Sequence, residues 1–75
     1  MTLRLHRVGA GHYRTYVRIK GSADEPFELM VIGCFREMRN HREWVIESAY
    51  DDARAFLTLK EARAYIELSY EETAP

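Results

Sequence analysis

Three histidines and one cysteine are the residues of this 75-residue chain best suited to hold a soft metal: His6, His12, His41 and Cys34. No two of them stand at zinc-ligand spacing, where ligands are paired a few residues apart. No metal is expected, and His12 and His41 read as solvent-exposed turn histidines. Cys34 lies in the most apolar stretch of the chain, which favours a buried thiol over an activated nucleophile. Two carboxylate pairs, Asp51-Asp52 and Glu71-Glu72, have the composition of an acid–base couple. Adjacent carboxylates in a turn or at a fraying terminus are solvated, and nothing nearby supplies the enclosure that shifts a pKa. The chain has no Gly-rich phosphate loop, no Gly-x-Ser-x-Gly and no His-Glu-x-x-His. A protein this thin also has little room for a pocket of catalytic size. The expectation is a non-enzymatic protein with no catalytic residue, no cofactor and no small-molecule substrate.

Size narrows the reading further. Seventy-five residues make one domain with one core. Such a chain buries only roughly 60–65% of its unfolded surface, so its stability is marginal without help. With a single cysteine, no internal disulfide can provide that help, and a secreted disulfide scaffold is ruled out. The residues before Val8 do not form a signal-peptide core, and the longest apolar run, Leu29–Phe35, is too short to span a bilayer. The expected setting is the reducing cytoplasm, away from membranes. A composition of 47% hydrophobic and 31% charged residues belongs to a folded protein. The net charge of −1 argues against nonspecific coating of nucleic acid, but it hides an asymmetry. Residues 1–42 hold eight Arg/Lys against four acids, and residues 43–75 hold three against eight, so the halves carry +4 and −5. A sheet from the first half and a helix from the second would give the molecule a basic side and an acidic side.

The elements that must position these groups follow from periodicity. Residues 1–10 are read as an edge strand or a loose arm, punctuated by Gly9 and Gly11. His12 to Lys20 alternates, with Tyr13, Thr15, Val17 and Ile19 on one face and Arg14, Tyr16, Arg18 and Lys20 on the other. Gly21 to Pro26 is turn chemistry. Phe27 to Met38 is apolar on both faces, with Leu29, Val31 and Phe35 opposed to Met30, Ile32, Cys34 and Met38, as in a central strand. Gly33 within it marks a bulge or a close approach. Glu43 to Tyr50 is a third strand, Asp51-Asp52 a turn, and Ala53 to Leu57 either a return of that strand or a lead into the helix. Thr58 and Glu61 form a capping box. Leu59, Ala62, Ile66 and Tyr70 then make one apolar helical stripe with Tyr65 on its edge. Glu67, Glu71 and Glu72 oppose the helix dipole, which predicts fraying after Tyr70. The expected fold is α+β: a three-stranded antiparallel meander over residues 12–50 followed by a C-terminal helix over 58–72, in one domain.

One helix covers only one face of such a sheet, yet the middle strand is apolar on both. Tyr16, Met30, Ile32, Met38, Trp44 and Ile46 are the candidates for the second face. Two readings stand. Residues 1–8 and the loops fold over that face and complete a core, or it stays open as an apolar patch rimmed by Arg14, Arg18 and Arg36 that holds a protein partner or a second copy of the chain. Which strands' large groups share that face depends on register, since a bulge at Gly33 would switch it.

Two segments resemble the amino-terminal arm-site-binding domains of phage-type integrases. Gly11-His12-Tyr13-Arg14-Thr15-Tyr16-Val17-Arg18 is similar to the family's Gly-x-Tyr-Arg first strand, and Phe56-Leu57-Thr58-Leu59-Lys60-Glu61-Ala62 to its Phe-x-Thr-x-x-Glu-Ala helix entry. The resemblance implies a β-β-β-α fold whose sheet reads duplex DNA, with Arg14, Arg18 and Lys20 as the DNA-facing residues. The chain departs from the family in its middle strand, where Phe27 to Cys34 has no base. Small phage or mobile-element accessory proteins of this build are often regulators or host-directed binders. The sequence therefore leads to a protein-binding module first and a DNA-binding module second.

Overall fold

The computed structural model describes residues 3–48 and 53–73. Asp51-Asp52 and Tyr50 lie outside them. Six strands and one α-helix follow in the order β1 (His6–Gly9), β2 (His12–Ile19), β3 (Phe27–Arg36), β4 (His41–Glu47), β5 (Arg54–Phe56), α1 (Leu59–Ser69) and β6 (Tyr70–Glu72). All belong to one antiparallel sheet in the order β1-β2-β3-β4-β5, with β6 paired to β2. Because β3 occupies one edge of β2, β1 and β6 must share the other edge. β1 pairs with His12–Arg14 and β6 with Val17–Ile19, so the two lie end to end.

The expected α+β class holds, but the sheet has six strands where three were expected. The meander of β2, β3 and β4 is at its centre. β3 stops at Arg36, and Met38, placed on that strand by its apolarity, sits in a single 3-10 turn, Glu37–Arg39. Asn40 closes the turn at φ 48°, in the left-handed region that Asn tolerates better than most residues. Gly33 marks a close approach, not a bulge. The β2–β3 and β3–β4 registers run without a break, and a Cβ added at Gly33 would meet two ring carbons of Trp44 and Arg42 Nη1 at 3.1 Å. Among the described residues the one shift in a ladder falls between Arg7 and Gly9.

The helix starts where the capping box places it. The Glu61 N–H donates to Thr58 Oγ1 at 3.1 Å, and the Glu61 carboxylate accepts from the Leu57 N–H at 3.3 Å. Ala62 and Ile66 turn inward and are fully buried. The helix ends at Ser69, earlier than its apolar stripe implied. Tyr70 adopts an extended conformation and leads into β6, which satisfies against β2 the backbone groups that a frayed last turn would leave open. Tyr70 is buried, edge-on to Phe27 at 5.7 Å and to Tyr65 at 6.3 Å. Val17, Leu29, Val31, Ile46, Ala62, Ile66 and Tyr70 form the core together with Leu3, and Leu5, Tyr13 and Trp44 pack against it. Full burial of each aliphatic side chain stabilises by about 1.5–3 kcal/mol. The segment before β1 thus packs on the helix side of the sheet, a placement its sequence did not reveal.

Candidate functional site

Alternation and register sort every strand residue onto one face or the other. The pairs Tyr13↔Val31, Thr15↔Leu29, Val31↔Ile46 and Gly33↔Trp44 carry the core, so these positions face the helix. The opposite face is built from the intervening positions in cross-strand rows. One row runs His6, Arg14, Met30, Glu47, and the next His12, Ile32, Val45, Ala55. Tyr16 pairs with Glu28, Arg18 with Glu71, and Cys34 with Glu43. At its centre Met30, Ile32, Cys34 and Val45 are contiguous and half-buried, with Tyr16 beside them. The α-helix and the Leu3–Leu5 segment both pack on the other side, and among the described residues no element crosses this face.

Of the six residues expected on the open face, Tyr16, Met30 and Ile32 are on it. Trp44 and Ile46 are not. The unbroken β3–β4 register puts both on the helix side, where Ile46 is 3% exposed and the Trp44 ring lies over Gly33 and 6.0 Å from Tyr13. Met38 is on neither face, since it projects from the hairpin tip at 101% exposure. Val45 is the apolar residue missed. It stands between Trp44 and Ile46, so placing those two outward placed it inward.

The three basic candidates also separate. Arg14 and Arg18 share the bare face, Arg14 exposed and Arg18 half-buried. Lys20 lies past the end of β2, in a cleft lined by Leu3, Glu67, Tyr70, Glu71 and Glu72, so acids surround it. At the hairpin end Arg36, His41 and Glu43 form a cluster. Arg36 Nε is 2.8 Å from Glu43 Oε2, and His41 Nε2 is 3.1 Å from Glu43 Oε1. The Glu43 carboxylate, on a residue only 3% exposed, thus has a cation to offset its desolvation. His12 lies on the bare face and is half-buried, not the exposed turn residue expected, and His41 is likewise half-buried. Cys34, expected to be buried, is half-buried on the bare face.

Two features of this face bear on what it could hold. Among the described residues, His12 Nε2, Arg18 Nε and Thr73 Oγ1 at bare-face positions are shielded from solvent without a hydrogen-bond partner, as Thr15 Oγ1 is on the helix side. Polar groups in that condition cost free energy until something pairs with them. The charges are also segregated by strand: β2 contributes Arg14 and Arg18, β3 is apolar from Met30 to Cys34, and β4 contributes Glu43 and Glu47. Elsewhere the surface offers shallow open clefts, such as one between Leu5, Tyr13, Leu59, Lys60 and Arg63. No three His, Cys, Asp or Glu side chains among the described residues converge as metal ligands, and no helix is long and apolar enough to cross a membrane. No protein-family model, no curated protein and no solved structure matches the chain.

Proposed function

We propose that this chain is a small non-enzymatic interaction protein that docks another protein on the bare face of its sheet. The observation that carries this reading is the contiguous strip of Tyr16, Met30, Ile32, Cys34 and Val45, at positions where β-strands usually present polar groups to water. An apolar strip flanked by arginines has the composition of an interface centre with its rim. A partner laid on it would remove apolar surface from water and bring hydrogen-bonding groups to His12, Arg18 and Thr73. The reading places the protein in the cytoplasm, where Cys34 stays a thiol. A photocrosslinking residue at Ile32 tests it, with one at Leu68, 77% exposed on the helix, as control. Protein adducts should form from position 32 and not from 68. Equal yields from both, or none from 32, would sink the proposal.

The resemblance to integrase arm-site domains leaves a second reading, in which the same face lies on duplex DNA. The observation that favours it is that Arg14 and Arg18 project from one strand of an uncovered sheet. Binding through them would weaken steeply with salt, and Arg14→Ala would flatten the slope. Glu28, Glu47 and Glu71 stand on the same face within two strands of these arginines, and the expected result is no retardation of duplex DNA even at low salt.

A further inference from the structure

Resting on the protein-docking reading above, we infer that the occupant of the bare face is a second copy of this chain, related by a two-fold axis parallel to β3. The arrangement of charge carries the inference. Across the face the columns read basic, apolar, acidic: Arg14 on β2, Met30 and Ile32 on β3, Glu47 on β4. A rotation of 180° about an axis running along β3, between the two sheets, exchanges the columns on either side of it. Met30 and Ile32 of one copy then meet Met30 and Ile32 of the other. Arg14 of each lies opposite Glu47 of its partner, twice by symmetry, and His12 opposite Val45. A closed two-fold contact needs a patch complementary to itself, and a patch divided into opposite charges about an apolar line meets that need. A two-fold axis at right angles to the strands would instead stack Arg14 over the β2 of its partner, base against base.

Arg14 and Glu47 are both exposed, and neither has an ion-pair partner among the described residues. They stand two strands apart, on either side of Met30, so each can reach across an interface. Facing sheets sit about 10 Å apart, a gap that an arginine and a glutamate span together. Glu28 lies one row beyond Met30 on β3, so it meets its own copy near the axis, a like-charge contact at the edge of the patch that solvent screens. From strand spacing and rise, the patch covers on the order of 500 Å² per partner. That is at the small end of specific interfaces, so the dimer is a weak one that exchanges readily.

Solution mass by sedimentation equilibrium tests this, with Trp44 fluorescence as an independent check of folding from the opposite face. The wild type should be dimeric at high concentration. Ile32→Glu should be a folded monomer, and Arg14→Glu and Glu47→Arg should each weaken association about tenfold or more. Mixing the Arg14→Glu and Glu47→Arg proteins in equal amounts should restore the dimer, because in the mixed pair both cross-axis contacts again join opposite charges. A wild-type monomer at high concentration, or a mixture that associates no better than its components, overturns the inference. If that monomer still forms protein adducts from position 32, only the two-fold pairing falls. If position 32 captures nothing, the docking reading falls with it.

Discussion

On its helix side the sheet carries Val17, Leu29, Val31 and Ile46, all exposed by 3% or less. On the other side, at neighbouring positions of the same three strands, it carries Tyr16, Met30, Ile32 and Val45, none of them fully buried. Val31 and Ile32 are adjacent in the chain and nearly equal in apolarity, yet one is core and the other is surface. What separates them is the complement: Ala62, Ile66, Tyr70 and Leu3 join the first set in the buried cluster, and none of the second set belongs to it. Apolarity states that a face needs cover. It does not state that the chain provides it.

Substitutions on the two faces should therefore have opposite signatures, and the comparison fails wherever they do not. The largest effect belongs to Ile66→Ala, which should destabilise by about 2–5 kcal/mol in denaturant melts, since it empties the centre of the covered core. Trp44→Glu should follow, costing roughly 3 kcal/mol through lost ring packing over Gly33, and it should unfold the protein and not merely release a partner. Gly33→Val attacks the same contact from below. With the Trp44 ring 3.1 Å from the added Cβ, it should cost about 1–3 kcal/mol and shift the emission of the only tryptophan. Thr58→Ala should remove roughly 1 kcal/mol through the lost cap. The smallest effect is expected on the bare face, where Ile32→Ser should change monomer stability by about 0.5 kcal/mol or less. A large loss there would make Ile32 part of the core and erase the distinction between the faces.

The alternating residues of β2 and the capping box at Thr58 were readable directly, because each depends on neighbours a few positions away. β5 appeared in the sequence only as an ambiguous return of the third strand. β6 did not appear at all, because Tyr70 continues the helical apolar stripe until pairing with β2 prevails. The face of Trp44 was out of reach for a related reason. Parity along β4 depends on whether Gly33 inserts a bulge, and glycine serves equally at a bulge and beneath a ring. Leu3 could not be assigned to the helix side because its partner Tyr70 is so distant in sequence. Local chemistry was visible, then, and pairings across the chain were not.

The shared flank of β2 bears on how the protein comes into being. β1 and β6 sit on one edge of that strand, and Val17 pairs with Glu72 at the far end of the chain. The Arg4 N–H donates to Glu72 Oε1 at 3.3 Å, which fastens the first described residues to the last. During synthesis β2 leaves the ribosome early and waits for β6, with half of one edge unpaired in the meantime. Such an edge is a template for any extended segment it meets, and pairings so distant in sequence close slowly. A chain stalled before Tyr70 would keep that edge open and should aggregate more readily than one that carries β6.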